Sequence, residues 1–276
     1  MSENPSIHET ILRFYENKVL LYPLYSPIAL PSLLAGYIIE TLEMSPIAYI
    51  DIEEISPLVY AAEGKLIHPY TIYFSPKHPL LVFKLPPDID YEKHLKLFPK
   101  IAKEIVTWCN EQEIEKIIAL DFMPPRNEKA EKVYFITEEH LVDDLKKLGL
   151  QPYTGVYLST AGYLLNQCAK TRVDGIILRV ESDLIKAILE TLRKEEIFRD
   201  KLTFYQKMID VFSKYGADLS ALKRALNAIE KITKIKIPLE KLEERNEEYI
   251  ELMQQLLEAI SKEIMYKKSK RPPIYG

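Results

Sequence analysis

The sequence predicts a three-layer α/β sandwich to about residue 180, followed by a mostly helical C-terminal part. Three observations predict it. Short apolar strands alternate with amphipathic helices over the first two-thirds of the 276 residues. The run Ile117–Phe122 is nearly all apolar, as expected of a strand buried on both faces of a central sheet. From about Ser182 onward the strand pattern disappears and helical spacing alone remains.

Lys18–Tyr22 reads as the first strand. Ser32–Leu42 reads as a helix, with Leu33, Leu34, Tyr37, Ile38 and Leu42 at helical spacing and Pro31 near its start, where a missing N–H is harmless. Ile47–Ile52, Leu58–Ala61, Tyr70–Phe74 and Leu80–Lys84 read as short strands. The turn signals Glu63-Gly64 and Ser75-Pro76-Lys77 separate them and predict antiparallel hairpins. Asp90 is placed to cap a long helix over Tyr91–Asn110, whose apolar positions include Leu95, Phe98, Ile101, Ile105 and Trp108.

After Ile117–Phe122 the next strand is Val133–Ile136. Thr137 is expected to cap the helix that follows, with Glu138 and Glu139 near its positive end. Val156–Leu158 reads as a short strand, Ser159 as the start of a helix through Leu164, Leu165 and Cys168, and Gly175–Val180 as a return to the sheet. Ser182–Lys194, Phe198–Lys214, Leu219–Ile232 and Leu239–Lys267 then read as helices, with Ile237-Pro238 breaking the chain before the last. In that last helix Leu242, Tyr249, Leu252, Leu256, Ile260 and Ile264 follow three- and four-residue steps, a seam that needs a partner surface for oligomerisation or the chain's own helices. The domain organisation expected is therefore 1–181, 182–267 and a tail over 268–276.

The formal net charge is -4, which gives no basic signature for nucleic acid. No apolar run approaches the length needed to span a bilayer, and the first residues lack a signal-peptide profile, so a cytoplasmic protein is expected. Cys109 and Cys168 lie in amphipathic segments and are expected reduced and buried. Scarce glycine, at 8 residues, with plentiful Lys, Glu and Ile, is a thermophile-like composition.

Enzyme chemistry is weakly represented. Nucleophile elbow, phosphate-cradling loop and dinucleotide fingerprint are all missing, and two cysteines and five histidines fall at no metal-ligand spacing. No cofactor is expected. Asp121 and Glu181 are the best catalytic candidates, because each lies near the C-terminal end of a predicted strand, where open α/β sheets place ligands. Capping or solvated carboxylates are the competing reading.

The tail is more informative. A basic, proline-containing stretch, Lys267-Lys268-Ser269-Lys270-Arg271-Pro272-Pro273, leads to Ile274-Tyr275-Gly276. An aliphatic side chain, a tyrosine with a hydroxyl handle and a terminal carboxylate make a compact docking group. This ending is similar to the hydrophobic–tyrosine–any-residue terminus of proteins that plug into the α-ring of the proteasome core particle.

The remaining landmarks agree. Leu34-Ala35-Gly36 with Tyr37-Ile38-Ile39-Glu40, then Ile52-Glu53-Glu54-Ile55-Ser56-Pro57, the turn at Gly64, Lys132-Val133-Tyr134-Phe135-Ile136-Thr137, Ser159-Thr160-Ala161-Gly162-Tyr163-Leu164-Leu165 and Asp174-Gly175-Ile176-Ile177-Leu178 run in one order. In these residues the chain resembles the proteasome assembly chaperone family, and its archaeal members in particular. Two glycine-rich turns usual in the family are replaced, by Pro23-Leu24-Tyr25-Ser26-Pro27 and around Asp121-Phe122-Met123-Pro124-Pro125. The resemblance implies a nucleoside-phosphorylase-like α/β/α domain with a helical extension and a homo-oligomer, a tetramer being favoured. It implies an assembly chaperone or ATP-independent activator that docks Ile274, Tyr275 and Gly276 into the α-ring, with no metal. An enzyme acting on a nucleoside or small phosphorylated substrate, or an adaptor delivering proteins to the proteasome, are the alternatives.

Overall fold

The computed structural model describes residues 15–25, 29–50, 60–62, 64–85, 91–193 and 201–248, with residues 250, 251 and 255. The described residues fall into two compact units, one drawn from Met1–Asp121, Val133–Val180 and Ala225–Ile237, the other from Phe122–Lys132, Glu181–Arg224 and Pro238–Gly276.

The first unit is built on an eight-stranded mixed sheet. In chain order its strands are β1 (Val19–Pro23), β2 (Ser45–Tyr49), β5 (Thr71–Phe74), β6 (Leu80–Lys84), β7 (Lys116–Met123), β8 (Val133–Thr137), β9 (Gln151–Pro152) and β10 (Asp174–Glu181). The spatial order is β2-β5-β6-β1-β7-β10-β8-β9. A separate antiparallel hairpin joins β3 (Tyr60–Ala62) to β4 (Lys65–Ile67). At the centre β1 runs parallel to both β6 and β7, pairing Val19 with Leu80 and with Lys116. The flanking pairs β2–β5, β5–β6 and β8–β10 are antiparallel.

Strand alternation sends two apolar sets to opposite faces. Leu20, Tyr22, Leu81, Phe83, Ile117, Ala119 and Ile177 join a core with Phe98, Ile101, Ile105 and Cys109 of α2 (Tyr91–Glu111) and with Leu164 and Cys168 of α4 (Ala161–Cys168). On the other face α1 (Leu30–Thr41) packs on β1 and β6 and buries Leu34 and Ile38. The unit is therefore three-layered, α/β/α, as the sequence pattern predicts. Both central strands β7 and β10 are buried along most of their length.

Several local expectations are corrected. Val156–Leu158 is not a strand. The short edge strand is Gln151–Pro152, which pairs with β8, and Val156 and Leu158 point almost wholly into solvent. Thr137 does not cap α3 (Glu139–Lys147); the N-cap is Glu138, and the Thr137 hydroxyl donates instead to the Gly175 carbonyl at 2.7 Å. Strand β4 was not expected. Asp90 and residues 51–59 lie outside the described residues.

In the second unit α5 (Asp183–Leu192) packs against α6 (Lys201–Tyr215). Ser182 caps α5, accepting from the Ile185 N–H, and donates its hydroxyl to Asp218 at 2.7 Å. Asp218 in turn accepts from the Ala221 N–H, in the first turn of α7 (Leu219–Thr233). One buried pair thus satisfies two helix starts. Residues 242–248 are again helical. Among the described residues every strand ends at or before Glu181, and no helix is long and apolar enough to cross a membrane.

Candidate functional site

Asp121 and Arg179 stand near the C-terminal ends of β7 and β10, each following an apolar run, Ile117–Leu120 in β7 and Ile176–Leu178 in β10. Arg179 Nε lies 3.1 Å from Asp121 Oδ2, and the two side chains are 12% and 20% exposed. The Tyr157 hydroxyl donates to the same carboxylate oxygen at 3.0 Å. The guanidinium also packs over the Tyr153 and Tyr157 rings, 4.6 and 4.1 Å from their centroids. Burial, reinforced by the Asp121 charge, pushes the Tyr157 phenol well above its ordinary range. Asp121 is thus committed to an ion pair and a phenol. That chemistry holds a loop in place and does not poise a general base.

Glu181, in the second unit, is 1% exposed. Its carboxylate accepts backbone N–H groups of Arg126, Glu131 and Lys132 at 2.9, 3.0 and 3.0 Å. Its own carbonyl accepts from Arg224 at 2.7 Å. A carboxylate so enclosed clamps the 126–132 loop. The two carboxylates that the sequence singles out are therefore each a structural partner within its own unit.

A shallow depression of about 320 Å³ lies elsewhere on the first unit, lined by residues of β2, β4 and β5. Tyr49 and His68 stack there with ring centroids 3.8 Å apart. Its walls are mainly apolar and aromatic. His140, the other titratable residue of note, sits half exposed with Nε2 2.9 Å from Asp174 Oδ1. Among the described residues no group of three or more His, Cys, Asp or Glu is arranged to hold a metal. Cys109 and Cys168 are both free and buried; burial raises each thiol, that of Cys168 up to about 12.

The docking residues Ile274, Tyr275 and Gly276 lie outside the described residues, as do Tyr249, Leu252, Leu256, Ile260 and Ile264 of the seam. Leu242 is described and is buried, at 1% exposure. The Arg179 cluster was missed by sequence reasoning. Its signal is one arginine interrupting the apolar run Ile176-Ile177-Leu178-Arg179-Val180.

Residues 29–257 match the family model described as the PAC2 family. The chain belongs to the PAC2 family. PAC2 folds of known structure superpose along nearly the whole chain. A protein of unknown function from Thermoplasma acidophilum matches with a TM-score of 0.66 and 23% identity, covering 94% of this chain and 93% of that one. PbaA from Pyrococcus furiosus, an archaeal homolog of proteasome-assembly chaperone, matches with a TM-score of 0.65 and 19% identity over 90% and 95%. PbaB from the same organism, an archaeal proteasome activator, matches with a TM-score of 0.62 and 17% identity over 91% and 97%. At these identities the likeness establishes the shared PAC2 fold. None of the curated proteins matches the chain.

Proposed function

We propose that this chain is a proteasome assembly chaperone or ATP-independent activator, non-enzymatic, whose partner is the α-ring of the core particle. The observation that carries the reading is the Ile274-Tyr275-Gly276 motif on a PAC2-family chain. The structural likeness to an assembly-chaperone homolog and to a proteasome activator supports it, as does the commitment of Asp121 and Glu181 to structural bonds.

In this reading Ile274 fills a pocket between adjacent α subunits. The Gly276 carboxylate pairs with a pocket lysine, and Tyr275 packs on the wall with its hydroxyl toward the gate-forming segment. One tail buries little surface, so a single contact binds at about the micromolar to millimolar level. A homo-oligomer, a tetramer being favoured, built partly on the seam of Leu242, Tyr249, Leu252, Leu256, Ile260 and Ile264, presents several tails and raises apparent affinity roughly a hundredfold or more. Lys267, Lys268, Lys270 and Arg271 speed encounter with an acidic rim, an effect that salt weakens.

The test compares the full chain with a variant lacking residues 274–276, with Tyr275→Ala, and with a chain extended beyond Gly276. Binding to the core particle and stimulation of peptide hydrolysis or assembly are measured. All three variants are expected to lose both. Undiminished binding and stimulation by the truncated chain and Tyr275→Ala would overturn the reading.

A further inference from the structure

The chain has two cysteines, and the fold brings both into one buried cluster of the first unit. Cys109 ends the apolar stripe of α2 that runs through Phe98, Ala102 and Ile105. Cys168 ends that of α4, after Ala161 and Leu164. The two helices pack against each other, and the cysteines are 0% and 1% exposed.

Hydrogen bonds tie these two helix ends to one short segment. The Cys109 carbonyl accepts from the Ile114 N–H at 2.8 Å, and the Glu115 carbonyl beside it accepts from the Asp174 N–H at 2.8 Å. From the other side the Cys168 carbonyl accepts from the Thr171 N–H at 2.8 Å and from the Thr171 hydroxyl at 2.9 Å. The Arg172 guanidinium, one residue on, donates to the Asn110 carbonyl at 3.4 Å. Residues 171–174 are thus bonded to the last turn of α4 on one side and to the chain leaving α2 on the other. Gly175 keeps space at the sulfur, since a Cβ there would stand 3.3 Å from Cys168 Sγ. The Cys109 thiol is raised first by burial and then by the charge that Cys168 would carry, so the two sulfurs lie within electrostatic range of each other.

We propose that Cys109 and Cys168 form a redox staple: a disulfide oxidant joins them, the bond ties α2 to α4, and closure of the core then seals whichever state the pair has reached. The structure holds the reduced state, with both thiols free. Oxidation proceeds by exchange with a small-molecule disulfide. One cysteine thiolate attacks a sulfur of the oxidant, forming a mixed disulfide and expelling a thiolate. The second cysteine thiolate attacks the protein sulfur of that mixed disulfide, forming the Cys109–Cys168 bond and expelling the other thiolate. Two protein thiols are oxidised, the oxidant is reduced to two thiols, and these take up the two protons released. Only thiolates attack, and the closed core both hides the sulfurs and suppresses their ionisation. The exchange therefore belongs to chains in which α2 and α4 have not yet closed, and the folded protein records the redox conditions in which it folded.

Refolding of the full-length chain tests this. The protein is unfolded with reductant, then refolded either with oxidised glutathione or with reductant alone. Non-reducing peptide mapping, intact mass and thermal melting are measured. The oxidised sample is expected to be a monomer lighter by two hydrogens, with the Cys109 and Cys168 peptides linked. The bond closes a long loop, so this sample should melt about 5–15 °C above the reduced one. Oxidised glutathione added to the folded chain should give the same link at least about tenfold more slowly. Cys109→Ala and Cys168→Ala are each refolded both ways and compared with themselves, so a cost to folding does not obscure the result; neither should gain on oxidation. Glutathione adducts or intermolecular dimers in place of the 109–168 link would overturn the proposal, as would a linked form melting at or below the reduced one. A gain in either alanine variant would trace the effect to something other than the bond and overturn it as well. Equal rates on folded and unfolded chains would overturn the sealing.

Discussion

Arg179 reaches from β10 to Asp121 on β7 at 3.1 Å and packs over Tyr153 and Tyr157 in doing so. Because both charges are mostly withdrawn from solvent, removing one leaves the other poorly compensated. Arg179→Ala is expected to destabilise the protein by about 3 kcal/mol in chemical denaturation. The double variant Asp121→Asn/Arg179→Met is expected to lose about 1–2 kcal/mol less than the sum of its single changes. Additive losses would show that the pair is not coupled.

Gly175 opens β10 against α4. A Cβ there would stand 2.6 Å from Leu165 Cδ2 and 3.1 Å from Cys168 Cβ. Gly175→Ala should therefore overpack the interface and cost about 1–3 kcal/mol. In a Leu165→Ala background the same change should cost less, because one of the two obstacles is gone. Calorimetric melting of the four proteins checks this.

Glu181→Gln keeps the shape of the side chain but puts an NH₂ where one oxygen accepted from Glu131 and Lys132, or where the other accepted from Arg126. The expected loss is about 1–3 kcal/mol. Hydrogen exchange provides the sharper readout: the amides of Arg126, Glu131 and Lys132 should lose protection together. Unchanged protection at all three would contradict the clamp.

The buried thiols give a pH dependence of known sign. Cys168 is raised from an ordinary value of 9.0 to about 12, first by burial and then by the charges of Glu138 and Asp174. Cys109 is likewise raised well above its ordinary value by complete burial. Between those limits the unfolded chain loses thiol protons that the folded chain keeps, so stability should be intact below about pH 9 and fall as pH rises toward 12. Replacing both cysteines with alanine should flatten this slope. The thiols of the folded protein should also resist alkylation at pH 8 until denaturant is added.

Much of the sheet was legible because its strands carry a strong period. Ile117–Phe122 and Gly175–Val180 are apolar enough that only a buried strand accommodates them, and both emerged within two residues of the expected bounds. The order of strands was not legible, since side-chain period says nothing about which strand sits beside which. Val156-Tyr157-Leu158 misled for a physical reason: a bulky apolar triplet mimics a strand, whereas here only Tyr157 turns inward. Thr137 misled because its hydroxyl finds the Gly175 carbonyl across the sheet, a partner invisible to local sequence. At the candidate sites, Asp121 and Glu181 were identifiable as unusual, but their partners, Arg179 and three backbone amides, come from distant parts of the chain.

The parallel pairing of β1 bears on how the protein is made. β1 leaves the ribosome before both of its neighbours, β7 closing at Met123, about a hundred residues after Pro23. At roughly 5–20 residues per second of synthesis, β1 waits about 5–20 s for that neighbour. During that time Val19-Leu20-Leu21-Tyr22 is an apolar segment with unpaired edges, so the nascent chain passes through a period in which aggregation competes with folding. A protein proposed to assist the assembly of another complex would therefore itself be a candidate client of the folding machinery that meets chains at the ribosome exit.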